Sequence, residues 1–237
     1  MLKVKMSSIH PIDHILTLQS PSGHQVWDNL EFFVDNDIYE CDYWIVFDDL
    51  KEQEHGFCPK EHTLLITSEP YNVKKYDQNF LKQFGTIITA QDELQLTNVI
   101  KTHQILGWWI AKSYDDLLRM EPIKKDSLIS LIVSNKRITK EHELRYKFAF
   151  DLKDYFGDRL DLYGRGIQNF DDKWRVLSPY KYTIAIENYS SKYYVTEKFF
   201  DALLCYTFPF YVIRFRFIMA VPISVTIIPR HHMNLLI

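Results

Sequence analysis

Hydrophobic positions along the chain fall into short continuous runs separated by stretches in which apolar residues recur every three or four positions. The run Tyr182-Thr183-Ile184-Ala185-Ile186 is apolar and β-branched and reads as a buried strand. It gives way to a polar pair, Glu187-Asn188, and a loop rich in Ser and Tyr. Thr196-Glu197-Lys198 then opens a helical pattern that places Phe199, Phe200, Leu203 and Leu204 on one side. Upstream, Leu128–Val133 reads as a strand ending in Ser134-Asn135-Lys136-Arg137. Residues 141–155 read as a helix with Leu144, Phe148 and Leu152 at helical spacing, and Leu160–Tyr163 as a strand ending at Gly164-Arg165-Gly166. This half is a βαβαβα pattern, a doubly wound arrangement whose ligands lie at the carboxyl ends of its strands. In the first half, strands are expected at 43–47, 63–67 and 85–89, with a helix over 72–83 whose apolar points are Phe80, Leu81 and Phe84. Strands alternating with helices imply a parallel sheet. The charged, proline-containing stretch 112–127 divides the chain into halves of residues 1–125 and 126–237. The cluster Gly107-Trp108-Trp109 reads as core packing.

Composition narrows the class. The chain has 237 residues, a net charge of −3, 46% hydrophobic and 15% aromatic residues. That is enough apolar material for one large or two small globular domains. The near-neutral balance leaves no basic footprint, which argues against nucleic acid as a partner. Cys41, Cys58 and Cys205 are widely spaced, odd in number and without metal-ligand spacing, which fits a reducing compartment. The first residues, MLKVKMSSIHPIDH, contain no apolar core of a secretory signal. The expected location is the cytoplasm, or a peripheral position on the cytoplasmic face of a membrane. The apolar run after Tyr211 is interrupted by Arg214, Arg216 and Pro222 and makes a poor membrane helix.

The chemistry concentrates where the 182–186 strand meets the 197–204 helix. A strand, a polar loop and a helix start present free backbone N–H groups and the positive end of a helix dipole, which suits an anion. Lys198 lies in the first helical turn, the unfavourable end for a cation on dipole grounds, and an anionic ligand accounts for it.

The block Ile186-Glu187-Asn188, five intervening residues, Tyr194-Val195-Thr196-Glu197-Lys198, with Tyr180-Lys181-Tyr182 before it and Asp201-Ala202-Leu203-Leu204 and Phe208-Pro209 after it, resembles the signature of family 10 glycosyltransferases, the α-1,3/1,4-fucosyltransferases. The strand ending Val133-Ser134-Asn135, the helix with Arg145, the Gly164-Arg165-Gly166 turn and Asp172-Lys173-Trp174 occur in the family's order. In the first half the resemblance rests on Ile66-Thr67-Ser68-Glu69-Pro70. It implies an α/β fold of the GT-B type, two facing Rossmann-like halves: an acceptor-side domain at 1–125 and a nucleotide-sugar domain at 126–237. It implies fucose transfer from GDP-fucose to a glycan hydroxyl with inversion, without a cofactor and with cationic side chains in place of a metal. Lys198 and Arg145 would hold the diphosphate, with Arg137 as a rival to Arg145. Glu197 would take the ribose hydroxyls, Asn188 and Tyr194 would contact the donor, and Glu187 would sit near the sugar. Glu69, across the cleft, would be the base. Lys136, His142 and Lys173 are expected to be structural or solvated. The absent apolar leader resembles the bacterial members.

From about residue 210 the chain departs from the family pattern, which continues with a glycine loop; a tandem duplication that shifted the reading frame accounts for this, and the second half is then incomplete. Two alternatives stay open: a truncated, inactive member, and a GT-B transferase using another nucleotide sugar.

Overall fold

A computed structural model describes residues 1–36, 38–103 and 107–213, and the backbone of 216–217. In chain order the elements are β1 (Leu2–Ser8), α1 (Asp13–Gln19), β2 (Val26–Trp27), β3 (Leu30–Val34), β4 (Tyr43–Phe47), β5 (Thr63–Ile66), α2 (Gln78–Leu81), β6 (Thr86–Thr89), β7 (Val99–Lys101) and α3 (Tyr114–Arg119). They continue with β8 (Ser127–Ile132), α4 (Lys140–Phe156), β9 (Leu160–Tyr163), α5 (Lys173–Leu177), β10 (Tyr180–Ile186), α6 (Glu197–Leu204), β11 (Phe208–Ile213) and β12 (Arg216–Phe217).

The strands form two sheets, a seven-stranded one ordered β2-β3-β1-β4-β5-β6-β7 and a five-stranded one ordered β12-β11-β10-β8-β9. Every pairing is parallel except β2 with β3 and β11 with β12. Ile129, Leu131, Leu160, Leu162, Ile184, Ile186 and Val212 make one core with Ala149 and Leu152 of α4. In the second sheet β8 passes to β9 on one side, and the chain then crosses back to place β10 on the other side of β8. The topological switch therefore lies between β8 and β10, and the crevice at their carboxyl ends is where an open α/β sheet receives a ligand.

The boundary segment is pinned. Lys125 Nζ donates to Ser178 O (2.6 Å), Cys205 O (2.7 Å) and Thr207 Oγ1 (3.1 Å), tying the ends of α5 and α6 to the start of β8. Trp108 packs with Ile110, Leu177 and Cys205, as its core reading requires, whereas Trp109 is exposed. At the end of β9, a Cβ on Gly164 would stand 1.7 Å from Val133 O, so only glycine lets this turn lie against the end of β8.

Three expectations are corrected. The helix over 72–83 shrinks to Gln78–Leu81 with Asp77 as its N-cap, because the preceding residues turn so that Lys74 and Tyr76 reach the Asp48 carboxylate. In α4 the inward face is His142, Arg145, Ala149 and Leu152, and Leu144 is exposed. In α6 the buried residues are Asp201 and Ala202, while Phe200 and Leu203 are exposed. The expected departure from about residue 210 falls partly on β11 and, at 214–215 and from 218 on, outside the described residues.

Leu131 is fully buried in β8, whereas Leu128 on the same strand is 39% exposed. Leu131→Ala is expected to lose about 3 kcal/mol of stability in urea denaturation, and Leu128→Ala about 1 kcal/mol or less. Equal losses would contradict the strand's placement at the centre of the core.

Candidate functional site

β10 ends at Ile186, and the next residue, Glu187, turns inward. Its carboxylate is fully buried and is engaged on both oxygens. Oε1 accepts from Thr196 N (3.0 Å), Thr196 Oγ1 (2.7 Å) and Tyr211 OH (2.8 Å), and Oε2 lies 3.2 Å from Lys198 Nζ. Thr196 in turn caps α6, its hydroxyl accepting from Lys198 N. The sequence folds this way because a Thr at the N-cap and a carboxylate behind it satisfy donors that a helix start leaves open.

Around this anchor the crevice between β8 and β10 holds a cavity of about 170 Å³, lined in part by Ser134, Arg145, Lys173, Glu197, Lys198 and Asp201. Arg145 enters it from α4. The residue is 5% exposed, its Nη2 lies 3.4 Å from Ser134 Oγ, and its Nε is buried with no hydrogen-bond partner among the described residues. Burial depresses its pKa, against the pull of Glu187, Tyr194 and Glu197. Burial also works against the charge of Lys198, but Glu197 and Glu187 together outweigh it and raise the pKa. For Glu197 burial alone would raise the pKa; Lys198 and Lys173 reverse the sign and hold it at about 2. Lys198 lies 3.6 Å and Lys173 3.5 Å from its Oε1.

Beside the cavity, Tyr194 is buried and donates to Asn188 Oδ1 at 3.1 Å. His142, next to Arg145 on the inward face of α4, bonds Thr139 Oγ1 through Nδ1 (2.8 Å) and faces Asn188 Nδ2 through Nε2 (3.5 Å). Burial, then Arg145 and Lys136, lower its pKa, which favours the neutral ring. Arg137 stacks on the Tyr146 ring, 4.5 Å from its centroid, and does not line the cavity. Among the described residues no group of three His, Cys, Asp or Glu side chains is placed to hold a metal ion.

Glu69 lies apart from this cavity, beyond the carboxyl end of β5 on the first sheet. The residue is exposed, yet partial burial of its carboxyl and then the charge of Asp48 raise its pKa, with Lys136, Lys74 and His10 opposing. Asp48 follows β4 with φ 68°, in the left-handed region that Asp tolerates. Its carboxylate accepts from Tyr76 OH and from Lys74 Nζ (2.9 Å). Gln91 Nε2 donates to Glu69 O (2.8 Å) and Lys74 O (3.0 Å), clamping the loop. The two halves meet near this loop through Asn72 Nδ2 and Glu141 Oε2, 3.3 Å apart.

Of the residues expected to form a donor site, Arg145, Glu197 and Lys198 line one cavity, and Asn188 and Tyr194 adjoin it. Glu187, expected near the sugar, has no exposed side-chain surface and four donors on its carboxylate; it holds Lys198 and Thr196. Lys173, expected to be structural or solvated, lines the cavity. Its sequence signal, an N-terminal helix lysine following the Asp172 cap, is weak without the fold.

Residues 122–222 match the model of glycosyltransferase family 10 (fucosyltransferase), C-terminal. A fucosyltransferase-like protein of Arabidopsis thaliana is 26% identical over 159 residues, covering 65% of this chain and 29% of that protein. The chain thus spans less than a third of that relative. A crystal structure of an α1,3-fucosyltransferase superposes with a TM-score of 0.50 at 16% identity, over 90% of this chain and 68% of that one. The structure of an α1,3-fucosyltransferase with GDP matches with the same TM-score and coverage at 18% identity. At such identity the likeness establishes the mixed α/β fold with parallel sheets, and the stretch matched by the family model contains β8 to β11 and the cavity.

Glu197 titrates in the folded chain at about 2 against an ordinary 4.5. Its folded value is the lower one, so its stabilising contribution is complete above about pH 4.5 and is lost as pH falls toward 2. Glu197→Gln is expected to be less stable than the wild type near neutral pH, and the difference to shrink through that window in urea melts. A pH-independent difference would contradict the ion-pair arrangement.

Proposed function

We propose that the chain is a glycosyltransferase that moves fucose from GDP-fucose to a glycan hydroxyl with inversion at the anomeric carbon. The observation that carries this reading is the buried Arg145, its Nε without a hydrogen-bond partner among the described residues, beside Lys198 in the cavity at the switch point of a parallel sheet. A buried guanidinium nitrogen without an acceptor is costly, and a phosphate oxygen supplies what it lacks. The match of residues 122–222 to the family 10 model supports a nucleotide sugar of this class. The likeness to an α1,3-fucosyltransferase crystallised with GDP agrees with it.

In this mechanism Lys198 and Arg145 bind the diphosphate and stabilise the charge that grows on it as the sugar bond breaks. Glu197, held ionised and within reach of the cavity, accepts the ribose hydroxyls. Asn188 and Tyr194 contact the donor from the loop. Glu69 takes the proton of the acceptor hydroxyl, whose oxygen attacks the anomeric carbon opposite the leaving diphosphate and turns a β-linked donor into an α-linked product. The raised pKa of Glu69 suits a base, and its exposure suits a bulky glycan. Among the described residues no helix is long and apolar enough to cross a membrane; a peripheral association with a membrane that carries the acceptor is part of the proposal.

Calorimetric titration tests the donor site. GDP and GDP-fucose are expected to bind the purified chain, and Lys198→Ala to weaken both at least about tenfold. No binding to folded protein would overturn the reading. With a glycan acceptor in hand, Glu69→Gln is expected to keep GDP-fucose affinity and lower turnover about a hundredfold or more. Unchanged turnover would remove Glu69 from the mechanism.

A further inference from the structure

The cavity carries more charge than binding a diphosphate demands, and the surplus is ordered. Lys173 Nζ lies 2.7 Å from Asp201 Oδ2 and 3.5 Å from Glu197 Oε1. Lys198 Nζ lies 3.6 Å from the same Glu197 oxygen and 3.2 Å from Glu187 Oε2. Asp201 is buried, and its second oxygen, Oδ1, accepts from the Trp109 backbone N–H at 2.8 Å. The result is a row of alternating sign, Asp201, Lys173, Glu197, Lys198, Glu187, running from α5 across the first turns of α6 to the end of β10.

Glu197 has two cations within ion-pair reach, Lys173 and Lys198. If a diphosphate draws Lys198 toward it, Glu197 must keep the other, because a carboxylate this deep in the protein is strongly disfavoured once its partner leaves. Lys173 is suited to stay. Asp201 holds it from the far side at the shortest distance in the row, and Asp201 is itself fixed by the backbone at Trp109. We propose that Lys173 is a positioning residue: it keeps Glu197 charged and in place, and so frees Lys198 for the diphosphate. The proposal rests on the donor-site reading and assigns a role to a residue which that reading leaves unused.

A double-mutant cycle read by GDP titration tests it. Lys173→Gln is expected to weaken GDP binding about tenfold in the otherwise wild-type chain. In a Glu197→Gln background, where no charge needs holding, the same substitution is expected to change affinity by less than about twofold. Asp201→Asn is expected to act like Lys173→Gln, since the amide oxygen still accepts from Trp109 N–H while its NH₂ releases the lysine. Lys173→Arg is expected to restore most of the affinity. A pH series adds a readout that a packing role would not move. Glu197 is faced by Lys198 and Asp201 on its own helix, Lys173 on α5, Arg145 on α4 and Glu187 after β10. Without Lys173 its carboxyl gains a proton more readily, so the acid limb of GDP binding is expected to move to higher pH. Tryptophan fluorescence melts confirm that each variant is folded. A loss that persists undiminished in the Glu197→Gln background, or no loss at all, overturns the proposal while leaving the donor site intact. A folded wild type that binds no GDP overturns the donor-site reading and this proposal with it.

Discussion

The buried carboxylate of Glu187 is the interaction on which the second half depends. It sits where β10 ends, beside the switch point, and gathers donors from three places: the N-cap of α6, the Lys198 ammonium and the Tyr211 hydroxyl on β11. Those donors set the direction of the helix, the height of its first lysine and the spacing of the neighbouring strand. Deleting the carboxylate would leave the N-cap threonine and the Tyr211 hydroxyl without their acceptor and would take from Lys198 one of its partners, the others being Thr196 Oγ1 at 2.8 Å and Glu197, a penalty larger than the loss of any one hydrogen bond. Burial of Tyr211, followed by the charge of Glu187, raises the phenol's pKa further, so Tyr211 stays a donor across the ordinary pH range.

This anchor also resolves the placement of Lys198. A lysine in a first helical turn is opposed by the dipole. Glu187 and Glu197 offset that opposition from two sides, so the cation is stable before any anion arrives. Arg145 feels Glu187 and Glu197 as well, but its Nε has no hydrogen-bond partner among the described residues. The two cations are therefore held differently: Lys198 by direct ion pairs, Arg145 by burial beside Ser134 and by carboxylates farther off.

Much of this is legible in the residues. The apolar run at 182–186, the polar pair after it and the threonine before the helix foretell β10, the turn and α6, because each obeys a local rule of period, loop or cap. β1 alternates apolar and charged residues, Leu2-Lys3-Val4-Lys5-Met6, the pattern of a strand with its polar face in water. Lys5 is nonetheless 2% exposed, held by Glu54 at 3.0 Å and lying over the Trp44 ring at 4.3 Å. Tertiary partners bury a lysine that the alternation puts on the solvent face, and no window of pattern contains residues 49 positions apart. The same limit hides Lys173, whose two carboxylates lie on another helix, and the true inward face of α4, where a buried Arg and His replace the expected Leu144. For Glu187 the limit runs the other way: the motif marks the residue, but only packing shows that its carboxylate is buried among Thr196, Lys198 and Tyr211.

The first sheet supports the proposed base in a different way. Asp48 accepts left-handed backbone geometry at the end of β4, and its buried carboxylate holds Tyr76 and Lys74, which curl the 68–76 loop back over the strand ends. Gln91 fixes the same loop through Glu69 O and Lys74 O. Glu69 thus has a rigid backbone and an exposed side chain, which suits a group that must meet a large acceptor at a fixed place. The contacts across the two halves include hydrogen bonds, Asn72 to Glu141, Tyr189 to Glu93 at 3.3 Å, Ser191 to the Ala90 carbonyl at 3.0 Å, and Trp109 N–H to Asp201. They also include an apolar cluster in which Trp108 and Ile110 pack against Leu177 and Cys205. The base and the donor cavity are each rigidly built, and this buried cluster joins the half that carries one to the half that carries the other.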